Sequence, residues 1–177
     1  YGVQNARTTG KLLLGGNDIY HLSSVAATSI VMKTRYVADT DLAAGSSYTY
    51  FEDEYALASD FLKLTDLQCF SRAYNIPLIG RDEFRRLYPR PGVSGIPTVA
   101  TLLDKSFVTT STQPIYVQFY PYPSTNLVIP YNYITKNLAV SSAGVEATEM
   151  SADTDEPQLP VRYRHALVAY AGWQWYR

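Results

Sequence analysis

A single cysteine, Cys69, and two histidines, His21 and His165, are the whole supply of thiol and imidazole in this 177-residue chain. Cys69 has no disulfide partner within the chain, so no disulfide framework holds the fold, and a reducing, intracellular setting is the simpler reading. The three residues also fall short of any recognised zinc spacing. Cys69 lies in an apolar, strand-like run without a nucleophile signature and reads as a buried structural residue. Charge is scarce as well: 18% of residues are Asp, Glu, Lys or Arg, and the net charge is -1. That balance lacks the basic footprint of a nucleic-acid reader, although DNA can still pass close by. No apolar run approaches the roughly 20 residues of a membrane helix, and no secretory leader is expected before the fold. The first residue is Tyr1 rather than methionine and Arg177 falls in mid-pattern, so further residues are expected beyond each end.

Motifs for catalysis or ligands are few. Asp39-Thr-Asp41 and Asp153-Thr-Asp155 resemble pieces of calcium loops. Neither has the central glycine and closing glutamate in register, and turn chemistry accounts for both. Gly15-Gly16 sits in no phosphate-binding loop. Asp53, Glu54, Asp155 and Glu156 are the carboxylates a glycoside hydrolase would pair, but each adjoins a turn, where solvated charge is the default. His165, between Arg164 and Ala166 on a predicted helix, reads as a half-exposed residue without a catalytic partner. No catalytic residue, metal or cofactor is expected.

What the chain has in abundance is tyrosine, sixteen residues in a composition that is 46% hydrophobic. The length suits one domain able to bury a core, and tyrosine favours strands and wet interfaces. Residues 1–28 read as an irregular N-terminal arm with a turn at Gly15-Gly16-Asn17-Asp18. A β-rich part follows over residues 29–140, with strands at 29–38, 47–51, 60–70, 98–103 and 115–120. In the last of these, Ile115, Val117 and Phe119 alternate with Tyr116, Gln118 and Tyr120. Residues 127–134 form a further strand that Pro130 confines to an edge or a bulge. Residues 80–88 (GRDEFRRLY) predict a short helix, with Asp82 and Glu83 in its first turn and Arg85 and Arg86 in its last.

Residues 141–158 read as a loop and 159–177 as a closing helix. Pro160 would take its first position and Asp155 and Glu156 would lie at its start. The fold class is therefore α+β: an antiparallel, sandwich-like β-sheet domain with a short inserted helix and a longer C-terminal one. That last helix is apolar nearly all round. Tyr163, Leu167 and Tyr170 share one face, Val168, Ala171 and Trp175 another, and Ala166, Ala169 and Trp173 widen it. Such a helix must be covered on several sides, and neighbouring subunits or the core of a single domain would serve equally well.

Six segments recur to a pattern: Tyr55-Ala-Leu57-Ala58-Ser-Asp60-Phe61-Leu62, Asp82-Glu83-Phe84-Arg-Arg-Leu87-Tyr88-Pro89, Gly95-Ile-Pro97, Tyr120-Pro121-Tyr-Pro123, Tyr133-Ile-Thr-Lys-Asn-Leu138 and Asp155-Glu156-Pro157-Gln-Leu159-Pro160-Val-Arg162-Tyr163-Arg-His-Ala166-Leu167. In order and spacing they resemble the head-to-tail adaptor (connector) proteins of tailed bacteriophages, which form the ring below the portal. The chain departs from that family at Ala58, where proline is usual, and in the fifth segment, which lacks its proline. The family's helical N-terminal region is not recognisable here, and its C-terminal helix usually runs on past the aromatic cluster.

The resemblance implies a function through assembly. Family members form a homo-oligomeric ring, usually a dodecamer, that docks on the portal and offers a platform to tail or nozzle proteins. DNA passes through the ring without sequence-specific binding. The expected location is the virion neck after assembly in the host cytoplasm, with no membrane involved. Ring contacts are heterologous, so each copy needs two different adhesive faces. Arg162, Tyr163, Tyr170, Trp173 and Trp175 are the expected subunit or portal contacts, and Tyr120 and Tyr122 the contacts to tail or neighbouring subunit. A second reading is a carbohydrate- or receptor-binding β module of a virion, with Tyr120 and Tyr122 stacking on sugar rings. A cell-wall hydrolase using Asp155 or Glu156 ranks last.

Overall fold

Leu12, Leu14, Tyr20 and Leu22 recur every second residue, a period that puts them on one face of an extended chain. In the computed structural model they form the core of a four-stranded antiparallel sheet. Its strands are β1 (Lys11–Leu14), β2 (Asp18–Val25), β3 (Ile30–Met32) and β4 (Tyr48–Phe51), in the order β3-β2-β1-β4. Leu12 lies opposite Tyr20 on one side and Tyr50 on the other. The structure describes residues 7–14, 18–26, 29–35, 47–69, 73–90, 92–104 and 115–176. The Gly15-Gly16-Asn17 part of the expected turn, the far end of the 29–38 strand and the Asp39-Thr-Asp41 pair lie outside them. The expectation of an irregular N-terminal arm is corrected by β1 and β2. In β1, Lys11, Leu12 and Leu14 are all buried, so both faces are covered and the strand shows no polar alternation to read.

Contacts divide the chain into two units, Tyr1–Ser59 with Asp66–Asn132 and Asp60–Thr65 with Tyr133–Arg177. The first unit holds a second sheet, ordered β5-β10-β9, from β5 (Glu54–Ala56), β9 (Val99–Leu103) and β10 (Tyr116–Tyr120). Gln118 sits opposite Glu54 on one side and Thr101 on the other. Val117 and Phe119 are buried while Tyr116, Gln118 and Tyr120 are half-buried, as the alternation predicts. β6 (Phe61–Cys69) pairs with β7 (Tyr74–Asn75) through Cys69 and Tyr74, and Cys69 is buried as expected. β8 (Ser94–Gly95) runs parallel to β11 (Tyr122–Pro123).

The predicted short helix is α1 (Arg81–Leu87), with the four charged residues in the expected turns. Its one buried residue, Phe84, is 2% exposed. The chain before it is tied to β9: Ile79 N–H donates to the Ala100 carbonyl and Ala100 N–H to the Pro77 carbonyl, both at 3.0 Å. The strand expected over 127–134 starts only at β12 (Tyr131–Thr135). Pro130 has no N–H to pair, so the ladder begins after it.

In the second unit β13 (Ala139–Val140) lies between β14 (Glu146–Ala147) and β15 (Glu156–Pro157), antiparallel to both. The expected 141–158 loop is thus pinned into a small sheet, whose two-residue strands are too short to show a period. Pro160 caps a 3-10 turn at Val161–Tyr163, and α2 (His165–Trp175) follows. Neither helical segment has an acid in its first turn, so Asp155 and Glu156 are not a helix start. The architecture is α+β, mostly antiparallel sheets with one short and one C-terminal helix. No helix among the described residues is long and apolar enough to cross a membrane.

Phe84→Ala should leave a cavity under α1 and cost about 3–5 kcal/mol. Urea unfolding checks this: the midpoint falls and the slope stays unchanged if native packing alone is lost.

Candidate functional site

The C-terminal segment carries most of the residues expected at an interface. None of the side chains of α2 is buried. Trp173 is 52% exposed, Trp175 87% and Tyr176 92%, and Leu167, Val168 and Tyr170 are also open. A helix in the core of a single domain is therefore excluded for α2. Its apolar surface instead forms a patch of the kind that marks interaction sites. The aromatic side chains are ordered among themselves. The Arg162 guanidinium lies 4.7 Å from the centre of the Tyr163 ring, the Tyr170 and Trp173 rings are 5.9 Å apart, and Gln174 Nε2 donates to the Tyr170 hydroxyl at 2.8 Å. Arg164 anchors the start of the segment, donating from Nε to the Leu159 carbonyl and from Nη2 to Glu156 Oε2, each at 3.0 Å. His165 is the exposed first residue of α2.

Tyr120 and Tyr122 take separate partners. Tyr120 stacks on Tyr88 at 4.0 Å between ring centres, and Tyr122 on Phe51 at 4.7 Å. Both are half-buried, so part of each ring is committed to packing. Tyr122 also borders an open hollow of about 460 Å³, together with Glu52 and Asn126.

The segments that carry the resemblance turn out to be packing partners. Asp60 accepts hydrogen bonds from Thr135 Oγ1 and the Tyr133 hydroxyl, both at 2.9 Å, and Phe61 stacks on Tyr133 at 5.8 Å. The Thr135 bond, then the Tyr133 bond, hold the Asp60 carboxyl below the usual range. Phe84 meets Tyr88 edge-on at 5.4 Å, and Tyr88 in turn holds Tyr120. Asp155 closes a turn, accepting from the backbone N–H of Ser151 at 2.8 Å and of Ala152 at 2.9 Å. These bonds, that of Ala152 first, lower its pKa. Turn chemistry thus explains Asp155.

Asp53 and Glu54 require a correction, because they are not solvated turn charges. Lys11 Nζ lies 2.8 Å from Asp53 Oδ2 and 2.6 Å from Glu54 Oε1, with the three side chains 4%, 0% and 4% exposed. Gln118 Nε2 donates to Asp53 Oδ2 at 2.6 Å. Asp53 Oδ1 and Thr101 Oγ1 are buried without a hydrogen-bond partner among the described residues. Desolvating such ions costs several kcal/mol each, repaid only by close geometry. Sequence reasoning missed this site because Lys11 and Asp53 are 42 residues apart. A run of three acids at a turn looks like surface. Buried and mutually paired, the trio ties β1 to the start of β5.

Beside the trio, Tyr50 donates to Glu52 Oε1 and accepts from Arg7 N–H at 2.8 Å. A Cβ on Gly10 would come within 2.3 Å of the Tyr50 ring, so only glycine admits the ring there. Burial first, and then the bond to Glu52, push the Tyr50 phenol up to about 12. Burial, and then the charges of Glu52 and Asp53, push Tyr55 up to about 12. Among the described residues no three His, Cys, Asp or Glu side chains group as a metal site.

Lys11→Met should destabilise the protein by about 3–5 kcal/mol, because two carboxylates stay buried without their cation. Adding Asp53→Asn and Glu54→Gln to it should recover much of that loss in a thermal melt. The raised tyrosines set an alkaline limit. Their neutral form is favoured in the fold, so this stability is whole below pH 10 and is lost as pH rises toward about 12. Ultraviolet titration should show late-ionising phenols, one fewer in Tyr50→Phe.

Compared with protein-family models, with curated proteins and with solved structures, the chain matches none.

Proposed function

We propose that this chain is a structural virion protein, a head-to-tail adaptor whose copies form a ring between portal and tail around the DNA channel. The observation that carries the reading is α2, an ordered helix whose tryptophans and neighbouring apolar residues are exposed. Other copies, and the portal, are the natural cover in a heterologous ring. The motif segments that suggest the family serve packing, as expected of a protein that works by shape. The net charge of -1 suits a channel in which DNA must slide without phosphate-gripping contacts. In this reading the two larger sheets of the first unit make a sandwich-like body linked by the Lys11–Glu54 pair. The ring would number twelve copies in the virion neck, with tail or nozzle proteins on its far side.

A carbohydrate-binding virion module is the second reading, favoured by the hollow where Tyr122, Glu52 and Asn126 meet. Glycan-array binding by an isolated monomer would support it over the adaptor.

Native mass measurement of the full chain, alone and mixed with its portal, tests the proposal. The expected result is a ring, or a stoichiometric complex on the portal. Trp173→Ser with Trp175→Ser should weaken assembly on the order of tenfold or more, as loss of buried aromatic anchors does, without changing the monomer's melting temperature. A stable monomer that ignores the portal at every concentration sinks the adaptor reading.

A further inference from the structure

Although the net charge is -1, charge is not spread evenly. In the first unit, Lys33, Arg81 and Arg85 line one hollow of about 590 Å³, whose lining also includes the buried Lys11 and Glu54. Arg81 and Arg85 lie four residues apart, on one face of α1. The side chains of Lys33, Arg81 and Arg85 are exposed and have no ion-pair or hydrogen-bond partner among the described residues. One stretch of the second unit carries the opposite sign. Residues 137–161 hold five acids, Glu146, Glu149, Asp153, Asp155 and Glu156, and no lysine, arginine or histidine.

Three of those acids are occupied: Glu146 by Asn137, Glu156 by Arg164 and Asp155 by its own turn. Glu149 and Asp153 are exposed and without a side-chain partner among the described residues. The loop that holds them is pinned at both ends, by β14 and β15 on β13, and closed by Asp155. A loop so ordered loses little entropy when it binds.

We infer that the cationic hollow of one copy receives the acidic 148–155 loop of the next. The inference rests on the ring reading and names its polar contact. A heterologous interface needs two unlike surfaces on one chain, and these two have opposite sign, with Lys33, Arg81, Arg85, Glu149 and Asp153 unpaired among the described residues. Paired charges of this kind set register and speed encounter.

The test uses sedimentation of the full chain near physiological salt. Arg81→Glu with Arg85→Glu, and separately Glu149→Lys with Asp153→Lys, should each weaken association on the order of tenfold. Arg81→Gln with Arg85→Gln should fall between. Melting temperatures near wild type establish that the variants fold, since all four residues are exposed. An equimolar mixture of the two reversed proteins should assemble again, because each can offer the surface the other needs. Reversed variants that assemble like wild type overturn the hollow–loop contact and leave the ring reading standing. So does a mixture that stays dissociated. Undiminished assembly with loss of duplex-DNA retention would assign the hollow to nucleic acid instead. A wild-type chain that never associates removes the ring reading itself.

Discussion

The first unit depends on one buried ionic contact. Lys11 opens β1, paired across from Phe51 of β4, while Asp53 and Glu54 lie where the chain leaves β4 for β5. Asp53 also accepts the Phe119 N–H at 2.9 Å through its backbone carbonyl, fastening the same corner to β10. One ammonium thus joins the four-stranded sheet to the three-stranded one. The expense is considerable, since two carboxylates share a single cation and Asp53 Oδ1 has no partner among the described residues. A well-packed apolar corner would be at least as stable. What an apolar corner lacks is direction. A slip of one residue in β1 would turn Lys11 to the other face and strand both acids, so the trio penalises wrong registers more than it strengthens the right one.

How much of this was legible in the sequence follows from how local each signal was. α1 could be read closely because its charges sit in sequence where the helix dipole wants them. β10 could be read because a half-buried strand alternates. β1 could not, because a strand covered on both faces has no polar side to alternate with. The small sheet around β13 could not, because two residues have no period. The trio was invisible for a different reason: its members meet only through the fold. Of the candidate interface residues, those of the C-terminal helix were recognisable as too apolar for solvent. Whether the chain itself would cover them was beyond the pattern, and their exposure is what the structure adds. That Tyr120 and Tyr122 pack on different rings could not be read either, since Tyr88 and Phe51 come from distant segments.

The two kinds of surface on this chain would act at different ranges. Opposite charges attract over about 8 Å in physiological salt and fade at higher ionic strength. Apolar contact acts only once water is excluded, and it resists salt. A ring built from both would be guided into register by Lys33, Arg81 and Arg85 against Glu149 and Asp153, and consolidated by Trp173 and Trp175. Exposed ion pairs are individually worth roughly 0–1 kcal/mol, so charge alone would leave copies exchanging freely. A buried tryptophan contributes several times that. Assembly that begins with the weak, oriented contact and ends with the strong, unoriented one avoids trapping the aromatic helix on the wrong partner. Such a sequence of events requires the aromatic surface to be ordered and exposed before assembly, and the side chains of α2 are exposed.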